Sequence, residues 1–551
     1  ARDRPSAKGA FEACAAMQSS LPRQLNTVLE PELLRGVALH DTIGCCGSAL
    51  QAPDTGMFRV DPRNYARSYP TQRYDAFLSH EWQSSQFAKF LSLLIIFNSR
   101  AAAVASLVVS IAQGLYWSLS EALPQPWTVL LGHLAWIIVL FSWQHFRALL
   151  CRPVTVFLDK FCIAQHSDEL KAKGILGIAA FLLQSRKLVV LWTPRYFSRL
   201  WCTYELTTFL QAQRRSDAVV MMPLKMSMLL FLFSAFWHLL ILSYYFWQEL
   251  LDGWLDDQDW EETRPLFMLY LVCLQVGLTA LVLPPVNYLG LGLVRDLDEL
   301  PRQLATFRVQ DASCFCCSNG HRNPITGEQL PCDRELVHQT LRGWYRQTSE
   351  STDHEQALDF FNELVQSRLS TSVLSSMTTS LPLGWVLSIV GVCHVPIVVS
   401  LQSQIVRLWS MYGVWDDLPG LVAFTLRSLI ECTYPLLLLL LAARLFLPLL
   451  RLGLRLQQFV SRWVASVLLL PIMLLFFLVT WLPVEILLVF TEDEGLTALL
   501  PFGLLLAVNA CIYCPCSRRQ KKEQCSVVQG PDPPATACLP REEDEDSTVS
   551  I

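Results

Sequence analysis

Two cysteines in the middle of the chain have the spacing of a zinc-binding pair, and a histidine and a third cysteine could complete the site. Cys314 and Cys317 are three positions apart, and His321 and Cys332 follow them. Thiolate and imidazole groups are the ligands that Zn²⁺ takes in tetrahedral protein sites. Cys314, Cys317, His321 and Cys332 are therefore candidate zinc ligands. The alternative interpretation is a group of reduced thiols that binds no metal.

A carboxylate and an indole share one face of a predicted helix. Trp201 and Glu205 are four positions apart, so their side chains lie one helical turn apart. The apolar run 188–192 before this helix predicts a buried strand, and ligands of α/β proteins bind where such strands end. Glu205 is therefore a candidate site residue. In the simpler interpretation, Glu205 lies on the helix surface and Trp201 anchors the helix to the core.

Long apolar runs dominate the remainder of the chain and predict a polytopic membrane protein. Of 551 residues, 52% are hydrophobic and 17% are charged, and several runs approach the roughly 20 residues that a membrane-spanning helix needs. No cytosolic segment is strongly basic, which argues against nucleic acid as a partner. Membrane lipids are the expected surroundings. We predict eight spans near 101–119, 127–146, 224–247, 266–290, 381–401, 430–449, 464–490 and 498–515. Seven and nine spans are the alternatives, because the runs from 266, 418 and 464 are ambiguous in length.

The distribution of Lys and Arg predicts the orientation of these spans. The loop 120–126 contains neither, whereas Arg100, Arg147 and Arg152 flank the outer ends of the first hairpin. Positive charge favours the cytoplasmic side of a membrane. Two crossings return the chain to its starting side, so the segments on either side of the hairpin can share one sheet. We expect these segments and both chain termini to be cytoplasmic.

Three segments of the chain resemble the Toll/interleukin-1 receptor (TIR) domain family. Segment 73–80 (RYDAFLSH) resembles the opening strand of the family, and segment 154–160 (VTVFLDK) resembles its second strand. In segment 186–210 the resemblance is to the third conserved region of plant immune receptors and NAD-cleaving TIR proteins. It is carried by Thr193, Tyr196, Trp201, Cys202, Glu205 and Leu206. The resemblance implies a flavodoxin-like parallel α/β sheet in the cytosol, interrupted by a membrane hairpin.

The resemblance also implies a function and a set of site residues. In NAD-cleaving TIR proteins the glutamate of the W-x-x-x-E pattern is catalytic, which corresponds to Glu205 here. Nicotinamide leaves as a neutral molecule, so a carboxylate that stabilises the ribose cation could suffice for catalysis. The expected contacts to NAD, as a substrate, are Trp201, Phe77, Ser79, His80, Thr193 and Tyr196. Members of the family are also expected to self-associate through this domain.

Two other functions are compatible with the sequence. The domain could act as a non-catalytic TIR-type scaffold that signals by self-association, or it could regulate a channel or transporter formed by the spans. Arg427, Glu431 and Glu485 lie in or near predicted spans, where they are either functional or located at an interface. A group of cysteines beside a basic run is either acylated or unmodified. This group comprises Cys511, Cys514 and Cys516.

The predicted organisation has eight parts. These are an unassigned segment (1–73), a TIR-like strand and helix (74–98), an inserted hairpin (99–150), the TIR-like continuation (151–215), a second hairpin (216–294), a cytosolic Cys-containing helical segment (295–380), four spans (381–515) and a disordered cytosolic tail (516–551).

Overall fold

The computed structural model describes most of the chain between residues 29 and 513. The described residues are 29–52, 62–119, 127–213, 218–252, 260–322, 327, 329, 332–345, 354–369, 381–411, 418–480, 483 and 499–513. The strands are β1 (Arg35–Ala38), β2 (Tyr69–Pro70), β3 (Ala76–His80), β4 (Thr155–Phe157), β5 (Leu188–Trp192) and β6 (Val219–Pro223). The α-helices are α1 (Leu39–Gly47), α2 (Pro62–Ala66), α3 (Gln86–Leu119), α4 (Trp127–Leu150), α5 (Asp159–Cys162), α6 (Asp168–Leu176), α7 (Ile178–Leu183), α8 (Leu200–Gln213), α9 (Leu224–Asp252), α10 (Trp260–Ala305), α11 (Phe315–Ser318), α12 (Asp333–Tyr345), α13 (His354–Leu364), α14 (Leu383–Ile389), α15 (Val395–Met411), α16 (Leu418–Leu456), α17 (Arg462–Leu468), α18 (Leu470–Thr480) and α19 (Leu499–Tyr513).

The six strands form one mixed sheet in the order β2-β1-β4-β3-β5-β6. Strands β4, β3, β5 and β6 are parallel, whereas β1 pairs antiparallel with β4 and β2 pairs antiparallel with β1. Every residue of β3 and β5 is buried, as expected for parallel strands covered on both faces. The carboxyl ends of four strands therefore meet at one edge of the sheet.

Three strands lie outside the segments in which the sequence analysis placed the sheet. Strands β1 and β2 belong to the unassigned residues 1–73, so the sheet is mixed rather than purely parallel. Strand β6 lies within the predicted second hairpin, 216–294, because it leads directly into α9 without a break. The predicted boundary between residues 215 and 216 thus separates β6 from the domain to which it belongs.

An aromatic cluster fills the core beside the sheet. The rings of Phe77 and Phe157 stack with their centroids 4.4 Å apart. Phe181 contacts Phe157 at 4.5 Å and packs edge-on against Tyr74 at 6.0 Å. The hydroxyl of Tyr74 donates to the carbonyl of Arg35 at 3.0 Å. These contacts join β1, β3, β4 and α7, and together they hold the sheet rigid behind its carboxyl edge.

Six helices among the described residues are long and apolar enough to cross a membrane. They are Gln86–Leu119, Val129–Leu150, Leu224–Ser243, Val272–Ala305, Val422–Leu456 and Arg462–Thr480. The pair Leu383–Ile389 and Gly391–Gln402, bent by 41°, adds a seventh if it forms a single span. Helix α19 is apolar but shorter, and most of 481–498 lies outside the described residues. The chain is a multi-pass membrane protein, and the number of eight spans stays a prediction.

Helix α3 runs without interruption from the sheet domain into the first hairpin. The predicted boundary between residues 98 and 99 falls inside it. The buried amide of Asn98 does not end the helix, because Nδ2 donates to the carbonyl of Leu140 at 2.8 Å and Oδ1 accepts from Gln144 Nε2 at 2.7 Å. A buried amide satisfied across a helix pair has no reason to disturb the backbone. Domain and span therefore share one helix.

Small residues allow α3 and α4 to pack closely. Ser106 and Ser110 of α3 are buried. A Cβ added to Gly132 of α4 would lie 2.6 Å from Ser110 Oγ and 2.6 Å from Pro396 of α15. Close packing of small residues is a usual means by which membrane helices associate. The hairpin is therefore a tightly packed unit, with α15 seated against it.

Candidate active site at the carboxyl edge of the sheet

Three polar side chains meet where β3 ends. A hydrogen bond of 2.6 Å joins Ser79 Oγ to Glu205 Oε2, and the same Oγ lies 2.6 Å from Tyr196 Oη. The tyrosine hydroxyl donates to the carbonyl of Cys202 at 3.0 Å. Glu205, Ser79, Tyr196 and the carbonyl of Cys202 thus form a continuous chain of hydrogen bonds. The glutamate identified from the sequence lies at one end of it.

Local structure explains why these side chains converge. Strand β5 ends at Trp192, a 3₁₀ turn occupies Tyr196–Ser198, and α8 begins at Leu200. The Tyr196 hydroxyl connects the turn to the first turn of α8. The thiol of Cys202 contacts the carbonyl of His80 at 3.6 Å and thereby holds α8 against the end of β3. Glu205 is one turn further along the same helix.

The protonation state of Glu205 decides the direction of these hydrogen bonds. When Glu205 is protonated, its carboxyl donates to Ser79, Ser79 donates to Tyr196, and Tyr196 donates to the Cys202 carbonyl. When Glu205 is ionised, Ser79 must donate to it. The single Tyr196 proton then has two acceptors within reach. The hydrogen bond from Ser79 therefore stabilises the ionised carboxylate.

Burial acts on the pKa of Glu205 in the opposite direction. Burial raises the pKa of Glu205 to about 8, the hydrogen bond from Ser79 opposes this rise, and the negative charge of Asp159 adds to it. Among the described residues no basic side chain forms an ion pair with Glu205. The residue as a whole is half-buried. Glu205 can therefore change protonation state near neutral pH, a property typical of functional carboxylates.

A second glutamate at the same edge has the opposite surroundings. Glu81 is 3% exposed and accepts a hydrogen bond from Thr193 Oγ1 at 2.8 Å. Its other oxygen lies 3.9 Å from Arg195 Nη1 and 3.8 Å from Arg199 Nη2. These contacts connect the end of β3 to the residues that follow β5. Glu81 is thus a structural carboxylate with its charge compensated.

A third group lies at the ends of β3 and β4. Trp82 Nε1 donates to Asp159 Oδ2 at 3.0 Å, and the imidazole of His80 packs edge-on against the Trp82 ring at 4.4 Å. Burial raises the pKa of Asp159. Burial, followed by the charge of Lys89, lowers the pKa of His80 well below its usual range. His80 is therefore neutral at pH 7, and its buried Nε2 has no hydrogen-bond partner among the described residues.

Three residues at this edge received no role from the sequence. These are Glu81, Trp82 and Asp159, and each lies within a few positions of the end of a strand. The signal that could have found them is their position, since residues that follow parallel strands converge at one edge. Their types also fit a site, because carboxylates such as that of Glu81 are rarely buried.

Some of the predicted NAD contacts lie at the carboxyl edge of the sheet, whereas others lie in the core or face another segment. Ser79 and Tyr196 join Glu205, and Thr193 contacts Glu81. Phe77 is 1% exposed and stacks on Phe157, so it offers no surface to a ligand in this conformation. The indole nitrogen of Trp201 donates to Asp333 at 3.4 Å, which directs it toward the cysteine segment.

The cysteine segment brings together four potential ligand atoms that differ from the predicted set in one member. Cys316, Cys317, His321 and Cys332 each place a donor atom within 4.8 Å of the other three. Cys314 lies outside this group, with its Sγ 3.5 Å from that of Cys316. Cys314 is extended and precedes α11, whereas Cys316 and Cys317 lie within it. The C-x-x-C spacing favoured Cys314 as a ligand, but the structure places Cys316 in the cluster instead.

Three of the remaining candidates lie in the apolar helices α16 and α19. Arg427 and Glu431 form an ion pair of 3.1 Å along α16. Cys511 is exposed near the end of α19. Cys514, Cys516 and Glu485 lie outside the described residues. Arg427 and Glu431 thus compensate each other's charge, which reduces the cost of placing them in an apolar helix.

Comparison of the chain with protein-family models, with curated proteins and with solved structures finds no match.

Proposed function

We propose that this chain is a membrane-anchored signalling protein of the TIR type and that Glu205 acts in hydrolysis of NAD to nicotinamide and ADP-ribose. The observation that carries the proposal is a half-buried carboxyl at the carboxyl edge of a parallel sheet, bonded to Ser79 and without a cationic partner among the described residues. The four parallel strands lie side by side in the order β4-β3-β5-β6. If they are numbered 1 to 4 along the chain, this order is 2-1-3-4, as in flavodoxin-like sheets, whose ligands bind at this edge.

The chemistry requires one negative charge in the right place. The bond between nicotinamide and ribose breaks with its electron pair on nicotinamide, which leaves as a neutral molecule. Positive charge develops on the ribose, and the Glu205 carboxylate stabilises it. Water then adds to the ribose carbon, and its proton passes to Glu205 and on to solvent. Atoms and charge balance without any other reactant.

The raised pKa of Glu205 fits this role. In the ligand-free protein the carboxyl is largely protonated at pH 7, because its pKa is about 8. A pyridinium ring attached to ribose brings a positive charge to the site, and a nearby positive charge favours the ionised carboxylate. Ser79 already offers the hydrogen bond that the carboxylate needs. The cation of the substrate would thus generate the charge that stabilises the transition state.

The test is release of nicotinamide by the full chain reconstituted at high density in liposomes. Glu205→Ala preserves helix propensity and removes the carboxylate. Its rate should fall roughly a hundredfold, because loss of a main electrostatic group costs on the order of 3 kcal/mol. Glu169→Ala is the matched control. It removes an exposed glutamate of α6 that pairs with Lys173 at 3.2 Å, and should leave the rate unchanged.

Two outcomes would contradict the catalytic proposal. Wild-type protein could release no nicotinamide even when clustered, or Glu205→Ala could release as much as wild type. In either case the scaffold function becomes the better account. High density matters to the assay, because TIR-type domains are expected to work by self-association, which anchoring in a membrane promotes through local concentration.

We further propose that the sheet domain and both termini are cytoplasmic. The support is the lack of Lys and Arg in 120–126 between positively flanked helices. Tags placed at Asp257, Asp417 and Asp493 should be accessible from the non-cytoplasmic side, whereas a tag at Ser318 should be protected. Labelling of Ser318 and Asp257 from the same side would refute this orientation.

A further inference from the structure

We propose that Cys316, Cys317, His321 and Cys332 bind one Zn²⁺ ion and that this ion fixes the beginning of α8, the helix that carries Glu205. The ligand set contains Cys316 in place of Cys314, and it is assigned from side-chain geometry. The zinc site stands independently of the proposed enzymatic activity. Only its effect on turnover rests on the proposed function.

The sulfur positions match a tetrahedral metal site. Cys317 Sγ lies 4.0 Å from Cys316 Sγ and 3.8 Å from Cys332 Sγ. Two sulfurs bound to Zn²⁺ at about 2.3 Å in a tetrahedron are about 3.8 Å apart. A disulfide would require roughly 2.0 Å between the sulfurs. The thiols are therefore spaced for a shared cation and are not bonded to each other.

Backbone donors point at the same sulfurs. The amide of Asp333 donates to Cys316 Sγ at 3.2 Å, and the amide of Glu335 donates to Cys332 Sγ at 3.4 Å. Both amides belong to the first turn of α12, where the helix dipole favours negative charge. Such hydrogen bonds stabilise thiolates and orient metal ligands. Two of the four proposed ligands thus each accept a hydrogen bond from a backbone amide.

The histidine is brought to the cluster by an uncommon backbone conformation. Gly320 and His321 both have positive φ angles, 60° and 58°. The chain reverses there, and the amide of His321 donates to the carbonyl of Cys316 at 2.8 Å. A histidine in the left-handed region is unfavourable by itself. A bond from its imidazole to a metal supplies a reason for this conformation.

The cysteine segment contacts the start of α8 at two points. Ser313, three positions before Cys316, donates from its amide to the Ser198 carbonyl at 2.7 Å and accepts from the Leu200 amide at 3.1 Å. Asp333, directly after Cys332, accepts from the indole of Trp201 at 3.4 Å. The zinc ion would therefore connect the two segments that contact the first turn of α8, one at Ser313 and one at Asp333. Glu205 lies on the next turn.

The first experiment measures zinc in the full-length protein purified in detergent. Wild type should hold about one equivalent after exposure to Zn²⁺ and removal of the excess. Cys316→Ser and Cys332→Ser should each lose most of the bound zinc, with affinity lowered by about tenfold or more. Cys314→Ser is the matched control and should retain it. A metal-free wild type, or equal loss in Cys314→Ser and Cys316→Ser, would overturn the assignment.

The second experiment tests the effect on α8 and does not depend on activity. Amide hydrogen exchange of residues 199–206 is measured in wild-type protein before and after a zinc chelator, with 188–192 as the internal reference. Exchange of 199–206 should increase severalfold on chelation while the buried strand changes little. Because no substitution is involved, failed folding of a variant cannot explain the result. Unchanged exchange in protein shown to have lost its zinc would refute the coupling.

A third measurement separates the zinc site from the enzymatic proposal. Asp333→Ala removes the acceptor of the Trp201 indole but no metal ligand, so zinc content should stay near that of wild type. If the enzymatic proposal holds, nicotinamide release should fall severalfold, because the start of α8 is held less firmly. Absence of nicotinamide release in wild type would count against the enzymatic function alone. Equal turnover in the variant and wild type would count against the coupling.

Discussion

Glu81 and Glu205 lie at one edge of one sheet, but their surroundings differ. Glu81 is almost fully buried and lies near two arginines and a threonine hydroxyl. Glu205 is half-buried, and its hydrogen bond is to Ser79. A buried carboxylate needs compensation for its lost hydration. Glu81 receives this compensation from the protein, and Glu205 would receive it from a cationic ligand.

This difference assigns separate tasks to the two residues. The ion pairs of Glu81 join the end of β3 to the segment after β5, so that carboxylate stabilises the fold. Glu205 carries a free energy cost when ionised, because its pKa is raised. A residue that destabilises the folded protein when charged is typical of a functional site. Substitutions at the two positions should therefore have opposite effects on stability.

The largest expected effect is on the stability of a Glu81 variant. Glu81→Gln removes the charge but not the volume, and leaves Arg199 without its carboxylate. We expect a loss of about 2 kcal/mol in the free energy of unfolding, because one member of a largely buried ion pair is left unpaired. The measurement is thermal unfolding of the purified protein in detergent. Glu169→Gln, in an exposed pair, should cost less than about 1 kcal/mol. Equal costs for both variants would remove the distinction between the two glutamates.

The next effect concerns the pH dependence of turnover. Ser79→Ala removes the hydrogen bond that favours ionised Glu205, so the pKa of the carboxyl should rise further. In the proposed mechanism nicotinamide release requires the carboxylate, so its rate should increase with pH and level off above the pKa. The midpoint of this profile should shift upward by about one pH unit, since hydrogen bonds to charged groups contribute roughly 1.5 kcal/mol. Tyr196→Phe leaves the Ser79 bond in place and should shift the midpoint less. A downward shift in Ser79→Ala would contradict the role of the hydroxyl.

The smallest effect is a gain in stability. The pKa of Glu205 is about 8 in the folded protein against 4.5 for an ordinary glutamate. Between these values the unfolded chain has released the proton that the folded protein retains. The glutamate thus lowers the stability of wild type progressively as pH rises from about 4.5 to 8. Glu205→Gln does not ionise, so it should be on the order of 1 kcal/mol more stable than wild type at pH 8 and similar at pH 4.5. A variant less stable than wild type at pH 8 would refute the raised pKa.

The central strands could be predicted from sequence because their signals are local. The apolar, β-branched run of β5 coincides with the observed Leu188–Trp192, and β3 and β4 lie within the segments expected for them. Strands β1 and β2 have four and two residues and give no periodic pattern. Strand β6 runs directly into the apolar helix α9, so composition conceals its end. The sequence analysis thus missed the strands that are recognisable from their pairing with a neighbouring strand and not from a local sequence pattern.

The candidate site was predictable to a similar degree. Family resemblance identified Glu205, Ser79 and Tyr196, which the structure brings together. The ion pairs of Glu81 were not predictable, because Arg195 and Arg199 reach it only after β5 is placed beside β3. The ligand set of the cysteine cluster depends on which face of a four-residue helix carries each thiol. Spacing alone does not fix that face.

The position of the first hairpin within the sheet has a consequence for biosynthesis. Strand β3 ends at His80, and β4, its parallel neighbour, begins about 75 positions later, after α3 and α4. At 5–20 residues per second, the ribosome needs about 4 to 15 s to supply β4. We expect the hairpin to enter the membrane during this interval, which would keep β3 at the bilayer surface until its partner strands are made. Assembly of the sheet is thereby made dependent on correct membrane insertion. A chain in which only one helix of the hairpin crosses the membrane would leave β3 and β4 on opposite sides and could not complete the edge that holds Glu205.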